Sequence, residues 1–282
     1  MKVDAHQHFW DVTRFHYAWL DREENARIRR TFLPDDLSPL LSEVGMDVTV
    51  VVQAQNSADE TLALLAWAEQ YDWIAGIVGW VPLDQPEEAA RQLEAYHRHP
   101  KFRGVRHLIH EERDPNWLVR DTVLEGLGIV ASYHLPFDVV AVFPRHLPLL
   151  PRVIERIPEL TLVIDHLAKP PIRTGHLQPW QEAMRAVADS PRVFAKISGL
   201  NTAAPWESWR VEDLQAPVDF AMTLFGPDRV MFGSDWPVAT LAGTYRQYWD
   251  AMQQLITPYG PYAVQQVFGE TAARVYQLKP KG

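Results

Sequence analysis

Met1-Lys2-Val3-Asp4-Ala5-His6-Gln7-His8-Phe9-Trp10 opens the chain. Strand-like sequence begins within a few residues of Met1. After Trp10 the chain carries no Gly-rich phosphate loop of a doubly wound nucleotide-binding sheet, only a polar, aromatic, irregular stretch from Asp11 to Thr31. His6 and His8, spaced i and i+2, face the same side of a strand, so their ring nitrogens can converge on one ion or one substrate atom. The irregular stretch reads as a long loop at the strand's C-terminal end, and loops of that length are often functional.

The rest of the chain repeats one alternation. A short helix over Leu37 to Val44 ending at Gly45 precedes a β-branched strand, Val48 to Gln53. Asp59 caps a helix to about Tyr71, the apolar run Ile74 to Val81 comes next, and Pro86 starts a helix to about His97 before the strand Phe102 to His107. Helical sequence in Trp117 to Tyr133 leads to a strand at Leu135 to Val142, then a helix at Leu147 to Arg156 and a strand at Leu160 to Ile164. Trp180 to Ala188, Val193 to Ile197, Val211 to Phe225 and Val230 to Phe232 continue as helix, strand, helix, strand, with a terminal helical region from Tyr245. About eight strands, each followed by helix, in a length close to the ~250 residues typical of the fold, predict α/β architecture as a single (β/α)8 TIM barrel over residues 1–282. No linker or composition shift suggests a boundary.

Composition narrows the chemistry. The 282 residues are 47% hydrophobic and 22% charged, with no apolar run of membrane-span length, which predicts a cytoplasmic protein lacking a secretion signal and a membrane segment. The absence of cysteine rules out disulfides, thiolate metal sites and a cysteine nucleophile. A formal charge of −9, with no long basic cluster beyond Arg27-Ile28-Arg29-Arg30, argues against nucleic acid as a partner and for a small molecule. Eleven tryptophans is a high count, and several sit beside strand-end polar residues where they could line a pocket.

In such a barrel the C-terminal strand ends hold the active site. Here they carry His6 and His8, Gln53 and Gln55, Arg106 and His107, His166, Lys196 and Ser198, and Asp235. Val163-Ile164-Asp165-His166 and Met231-Phe232-Gly233-Ser234-Asp235-Trp236-Pro237 both run an apolar strand into ionisable groups. Taken singly, either reads more readily as a turn-capping aspartate and a histidine satisfying a carbonyl.

Together with His6-Gln7-His8 these ends resemble the amidohydrolase superfamily, and more closely its amidohydrolase-2, metal-dependent-hydrolase branch that includes sugar-lactone hydrolases. Gly104-Val105-Arg106-His107, Leu135-Pro136-Phe137-Asp138, Ile164-Asp165-His166-Leu167-Ala168-Lys169-Pro170 and Lys196-Ile197-Ser198-Gly199-Leu200 carry the resemblance through nearly the whole chain. It implies a hydrolase opening a sugar-acid lactone, such as an L-fucono-, L-rhamnono- or galactono-lactone. Asp235 would be the general base, with His166 and Arg106 stabilising the oxyanion. His6, His8, His166 and Asp235 would hold one divalent ion, zinc or manganese. Arg106 stands where two-metal members place a bridging ligand, which speaks against a second ion, and some lactonases of the branch are thought to work without a metal.

Trp10, Gln53, Trp80, His107, Lys196 and Trp236 are the expected substrate contacts, since an aromatic wall with amide and imidazole groups suits a neutral polyhydroxylated ring. Trp80 reads equally as core packing, and Lys196 equally as the partner of a buried Asp165 or Asp138. His110 comes after the fourth strand and is not counted in the site; His16, His97, His99, His134, His146 and His176 read as surface residues. Asp4, on the strand parity of His6, suits a supporting role. Two other readings stay open: a decarboxylase of the same branch, which would release carbon dioxide from a carboxylated ring, and a sugar-acid-binding barrel without turnover. Monomer and homo-oligomer are not distinguished.

Overall fold

The computed structural model describes residues 1–279; Pro280 to Gly282 of the span read from the sequence lie outside the described residues. Eight parallel strands form one sheet in sequential order: β1 (Val3–Gln7), β2 (Val48–Val52), β3 (Ile74–Gly79), β4 (Phe102–His107), β5 (Phe137–Val139), β6 (Leu162–Ile164), β7 (Val193–Ser198) and β8 (Val230–Gly233). The sheet comes back on itself just beyond β8. Asp235 N donates to His6 O at 2.7 Å, His8 N donates to Trp236 O at 2.7 Å, and Gln7 and Trp236 form a parallel bridge. Helices α1 (Pro34–Val44), α2 (Ala58–Gln70), α3 (Pro86–Tyr96), α4 (Asp121–Ser132), α5 (Leu150–Arg156), α6 (Gln178–Ala188), α7 (Val211–Phe225) and α8 (Tyr245–Ile256) follow the strands in turn. This is the (β/α)8 arrangement read from the alternation.

Strand periodicity sorts the apolar residues into two layers. Val48, Val50 and Val52 join Val3, Ala5, Val78, Val163, Met231 and Tyr276 in a small cluster filling the barrel, whereas Val51 belongs to the larger layer between sheet and helices. Tyr276 comes just after the short helix Thr271–Val275, and with Ala272, Val275 and Leu278 it plugs the barrel from the side opposite the strands' C-terminal ends. Among the described residues no helix is long and apolar enough to cross a membrane.

Local chemistry adjusts several sequence boundaries. The cap of α2 is Ser57, whose Oγ accepts from Glu60 N at 3.3 Å, rather than Asp59. Glu60 is thereby turned inward, and its Oε2 accepts from Ala54 N (3.0 Å) and Gln55 N (2.9 Å), securing the turn after β2. The ladder of β5 spans Phe137–Val139 and not Leu135 to Val142; Val140 and Ala141 stay buried outside it, which is why the apolar run looks longer. The stretch from Asp11 to Thr31 contains two short 3-10 turns, Ala18–Asp21 and Glu23–Ile28, and its base is closed by the antiparallel bridge of Trp10 to Phe32.

Candidate active site

β1 ends by bringing both its imidazoles to the barrel mouth, although the pairing with β2 shifts register between Asp4 and Gln7. The shift breaks the shared parity expected for Asp4. Its carboxylate accepts from Ser234 N (2.8 Å) and from the hydroxyl of Tyr245 on α8 (3.1 Å), tying β1 to the turn after β8, while His6 faces the barrel interior. Burial pushes Asp4 up to about 6, against those hydrogen bonds.

His8 Nδ1 donates to Val52 O at 2.7 Å, which leaves Nε2 a lone pair. That nitrogen lies 3.2 Å from His6 Nε2 and 3.3 Å from Asp235 Oδ1. Burial lowers the pKa of His8 despite its bond to Asp235, so the ring is neutral and its lone pair meets a carboxylate oxygen with no proton of its own to offer. Two acceptors at that distance require a cation or a shared proton between them. Tetrahedral zinc with Zn–N bonds of about 2.0–2.1 Å separates its ligand nitrogens by about 3.3 Å. His6, His8 and Asp235 together therefore fit one small divalent ion, and the carboxylate's Oδ2 stays on the side of His166, 3.9 Å from its Nδ1.

His166 adjoins this group without completing it. Its Nδ1 is taken by the carbonyl (3.1 Å) and hydroxyl (2.9 Å) of Ser198, leaving Nε2 for the cavity. A second triad, His6, Asp165 and His166, is also close enough for an ion, but Asp165 is already engaged: Oδ2 by Arg106 at 3.1 Å and Oδ1 by Lys196 at 3.2 Å. Burial alone would raise Asp165; Lys196, His6 and Arg106 hold it well below the usual carboxylate range.

Asp235 sits at φ +56° and His166 at φ +53°, both in the left-handed region, and Leu167, Ala168 and Lys169 lie there too, at +50°, +59° and +53°. Non-glycine residues rarely adopt this conformation, and such strain concentrates at functional sites. Burial would raise the Asp235 carboxyl, but the fields of His166, His6 and His8 and the His8 hydrogen bond outweigh it, so the group is ionised at neutral pH. Gly199 makes room for it. A Cβ there would lie 2.2 Å from Asp235 Oδ2, and Gly199 is itself at φ +58°. Gly199→Ala should therefore cost about 1–3 kcal/mol of stability and displace the carboxylate; thermal unfolding checks this, and an unchanged midpoint would contradict it.

Above these groups lies a cavity of about 240 Å³, floored by His8, Arg106, His166 and Asp235. Its walls come from loops: Trp19, Arg22, Glu24 and Asn25 after β1, Leu108 and His110 after β4, Lys169 after β6, Thr202 and Trp206 after β7, and Val238 and Leu241 after β8.

The six expected substrate contacts are not among the lining residues. Trp10 is wholly buried, donates Nε1 to Arg30 O at 2.6 Å and packs edge-on against Trp19 and Phe32. Trp236 packs against Phe32 and Phe9. Gln53 is buried beside Arg106, each side chain bonded to the other's backbone carbonyl. Trp80 donates to His107 Nδ1 at 3.0 Å, and the His107 ring stacks on Trp117 while its Nε2 reaches Glu112 at 2.8 Å. Lys196 is wholly buried between Asp138 (2.5 Å) and Asp165, the ion-pair alternative. These residues brace the floor from behind because strand-end side chains point into the barrel or into the outer core, whereas loops supply the walls. His146, expected at the surface, is buried with neither ring nitrogen partnered, and His110 does reach the cavity. Trp19, Arg22, Trp206 and Lys169 were missed; the available signal for the tryptophans was aromatic residues in polar stretches just after strands.

Known proteins resemble this chain along its length. An L-fucono-1,5-lactonase from Burkholderia ambifaria is 40% identical over 290 residues, covering 100% of this chain and 97% of that protein. Another from Burkholderia multivorans is 35% identical over 293 residues, covering 99% and 96%. The crystal structure of an amidohydrolase from Burkholderia multivorans with bound zinc matches at TM-score 0.92 and 33% identity, covering 99% of this chain and 100% of that one. The family model described as Amidohydrolase matches residues 3–278, and so, over nearly its whole length, the chain belongs to the amidohydrolase family.

Proposed function

We propose that this protein is a hydrolase that opens a sugar-acid lactone, with L-fucono-1,5-lactone the first candidate because two full-length relatives carry that activity in their names. The observation that carries the chemistry is the ionised Asp235, held at the floor of a cavity sized for one small ring and aimed between three imidazoles. The residues span β1 to the turn after β8, so the whole chain acts as one catalytic unit.

Asp235 accepts a proton from water as the water oxygen adds to the lactone carbonyl. When the tetrahedral intermediate collapses, the ring C–O bond breaks and Asp235 returns the proton to the departing oxygen. Arg106 faces the oxygen that gains charge, whereas His166, neutral and with its Nδ1–H on the Ser198 carbonyl, keeps a lone pair on Nε2 that accepts a hydrogen bond from the attacking water instead of serving the oxyanion. A zinc or manganese ion held by His6, His8 and Asp235 would, when bound, supply Lewis-acid polarisation at the same place. Arg106 donates to Gln53 O at 2.6 Å and pairs with Asp165, which fixes it rigidly at the cavity floor.

A pH-indicator screen of aldonolactones, run on protein stripped by chelator and on protein reloaded with zinc, tests this reading. Proton release from L-fucono-1,5-lactone or a close stereoisomer is the expected result. No proton release from any aldonolactone, together with carbon dioxide release from a carboxylated ring, would replace lactonase with decarboxylase.

A further inference from the structure

The cavity holds three cationic side chains, and two are already balanced. Arg106 is paired with Asp165 at 3.1 Å, and Arg22 with Glu111 Oε1 at 2.8 Å. Lys169 is different. Among the described residues no carboxylate comes within 4.0 Å of its ammonium and no protein group accepts a hydrogen bond from it. Its side chain is exposed, and that exposure opens into the cavity that Asp235 and His166 floor. Even so, protein crowding lowers its pKa against the attraction of Asp235, with Arg106 and Arg22 adding to the depression. Open to the cavity and without a carboxylate partner among the described residues, the ammonium is available to pair with a negative charge that forms there.

Its backbone makes the same point. Lys169 ends the run of four left-handed residues that begins at His166, at a φ of +53° that glycine adopts without strain. The backbone there costs free energy with lysine that glycine would spare, so the side chain is what the position retains.

Resting on the lactonase reading, we propose that Lys169 is a catalytic residue: its ammonium donates a hydrogen bond to the lactone carbonyl oxygen as that oxygen becomes an anion. Water adds to the carbonyl carbon, its proton passes to Asp235, and the carbonyl electron pair moves onto the oxygen facing Lys169. Collapse re-forms the carbonyl and breaks the ring C–O bond, and the Asp235 proton goes to the ring oxygen. Lys169 keeps its own proton throughout and ends facing the carboxyl group of the open-chain product, which releases its proton to solvent and becomes a carboxylate. Arg106, already paired with Asp165, stays beside the same oxygen as the second cation and also holds the floor.

Lys169→Gly is a clean test because glycine relaxes the backbone, so lost activity cannot be ascribed to a damaged fold. Steady-state kinetics on the best lactone and thermal unfolding are measured for the wild type, Lys169→Gly and Lys169→Met. The expected result is a fall in kcat of about a hundredfold or more in both variants, with KM changed by less than about threefold. Lys169→Gly should melt at or above the wild-type temperature, and added methylammonium should restore part of its kcat. A kcat within about threefold of wild type, or a loss confined to KM, overturns the proposal. A wild type inactive on every lactone would sink the lactonase reading and this inference with it, whereas an active wild type beside an equally active Lys169→Gly sinks this inference alone.

Discussion

Asp235→Asn should lower kcat for lactone opening by about 10²- to 10⁴-fold, the range by which a positioned general base accelerates a proton transfer, while leaving the fold intact. The substitution isolates the proton transfer because asparagine tolerates the left-handed conformation that Asp235 holds at φ +56°. Its amide N–H can also donate to the lone pair of His8 Nε2, which now lies 3.3 Å from the carboxylate. Shape, backbone and cavity are preserved, and only the capacity to take a proton and the negative charge are lost. Since that charge would also help to hold an ion, the comparison belongs at saturating zinc as well as after chelation. A large fall in kcat under both conditions, with the melting temperature unchanged, identifies Asp235 as the base. Retention of activity within about tenfold of wild type would transfer that role to another group, with the free Nε2 of His166 the nearest alternative.

That Asp235 and His8 were both legible in the sequence is a consequence of how a barrel is built. Runs such as Val48–Val52 declare themselves as strands by β-branching, and a polar residue directly after such a run must lie at the mouth. Strand-end placement, however, says nothing about which way a side chain leaves its strand. Trp10 and Trp236 stand at strand ends as expected, yet their rings enter the aromatic layer with Phe9 and Phe32, and the cavity's tryptophans, Trp19 and Trp206, come from loops whose path no periodicity encodes. Asp4 illustrates the same limit within a strand: one irregularity between Asp4 and Gln7 changes which neighbours the residue meets. Partners were hardest to read. Lys196, Asp138 and Asp165 lie on or just after three different strands, and their convergence depends on the register of the ladders from β5 to β7. Lys169 lies in the stretch from Ile164 to Pro170, but only its conformation and its lack of a partner among the described residues set it apart.

Lys196→Met should destabilise the protein by about 3–5 kcal/mol, because removing one partner of a buried ion pair leaves the others uncompensated. Lys196 is wholly buried, with its Nζ 2.5 Å from Asp138, 3.2 Å from Asp165 and 3.1 Å from His6 Nδ1. Asp138 also accepts from the Tyr276 hydroxyl at 2.9 Å, so a chain of polar contacts runs from the plug at one end of the barrel to His6 at the other. Its two carboxylates respond unequally. Burial pushes Asp138 up to about 6 even with Lys196 beside it, whereas Lys196, His6 and Arg106 keep Asp165 ionised. Methionine matches the lysine stem in length but supplies no charge, so both carboxyls would face the low-dielectric interior without their shared cation. At roughly 2–4 °C per kcal/mol for a chain of this size, the melting temperature should fall by roughly 10 °C. Asp138 is the carboxyl nearer to accepting a proton, so Asp138→Asn combined with Lys196→Met should recover part of the loss, and the two changes should be strongly non-additive. A melting temperature within about 2 °C of wild type for Lys196→Met would mean that water or a protonated carboxyl already balances the interior, and that the lysine is dispensable to the fold. Full additivity would mean that the 2.5 Å contact between Lys196 and Asp138 does not couple them energetically.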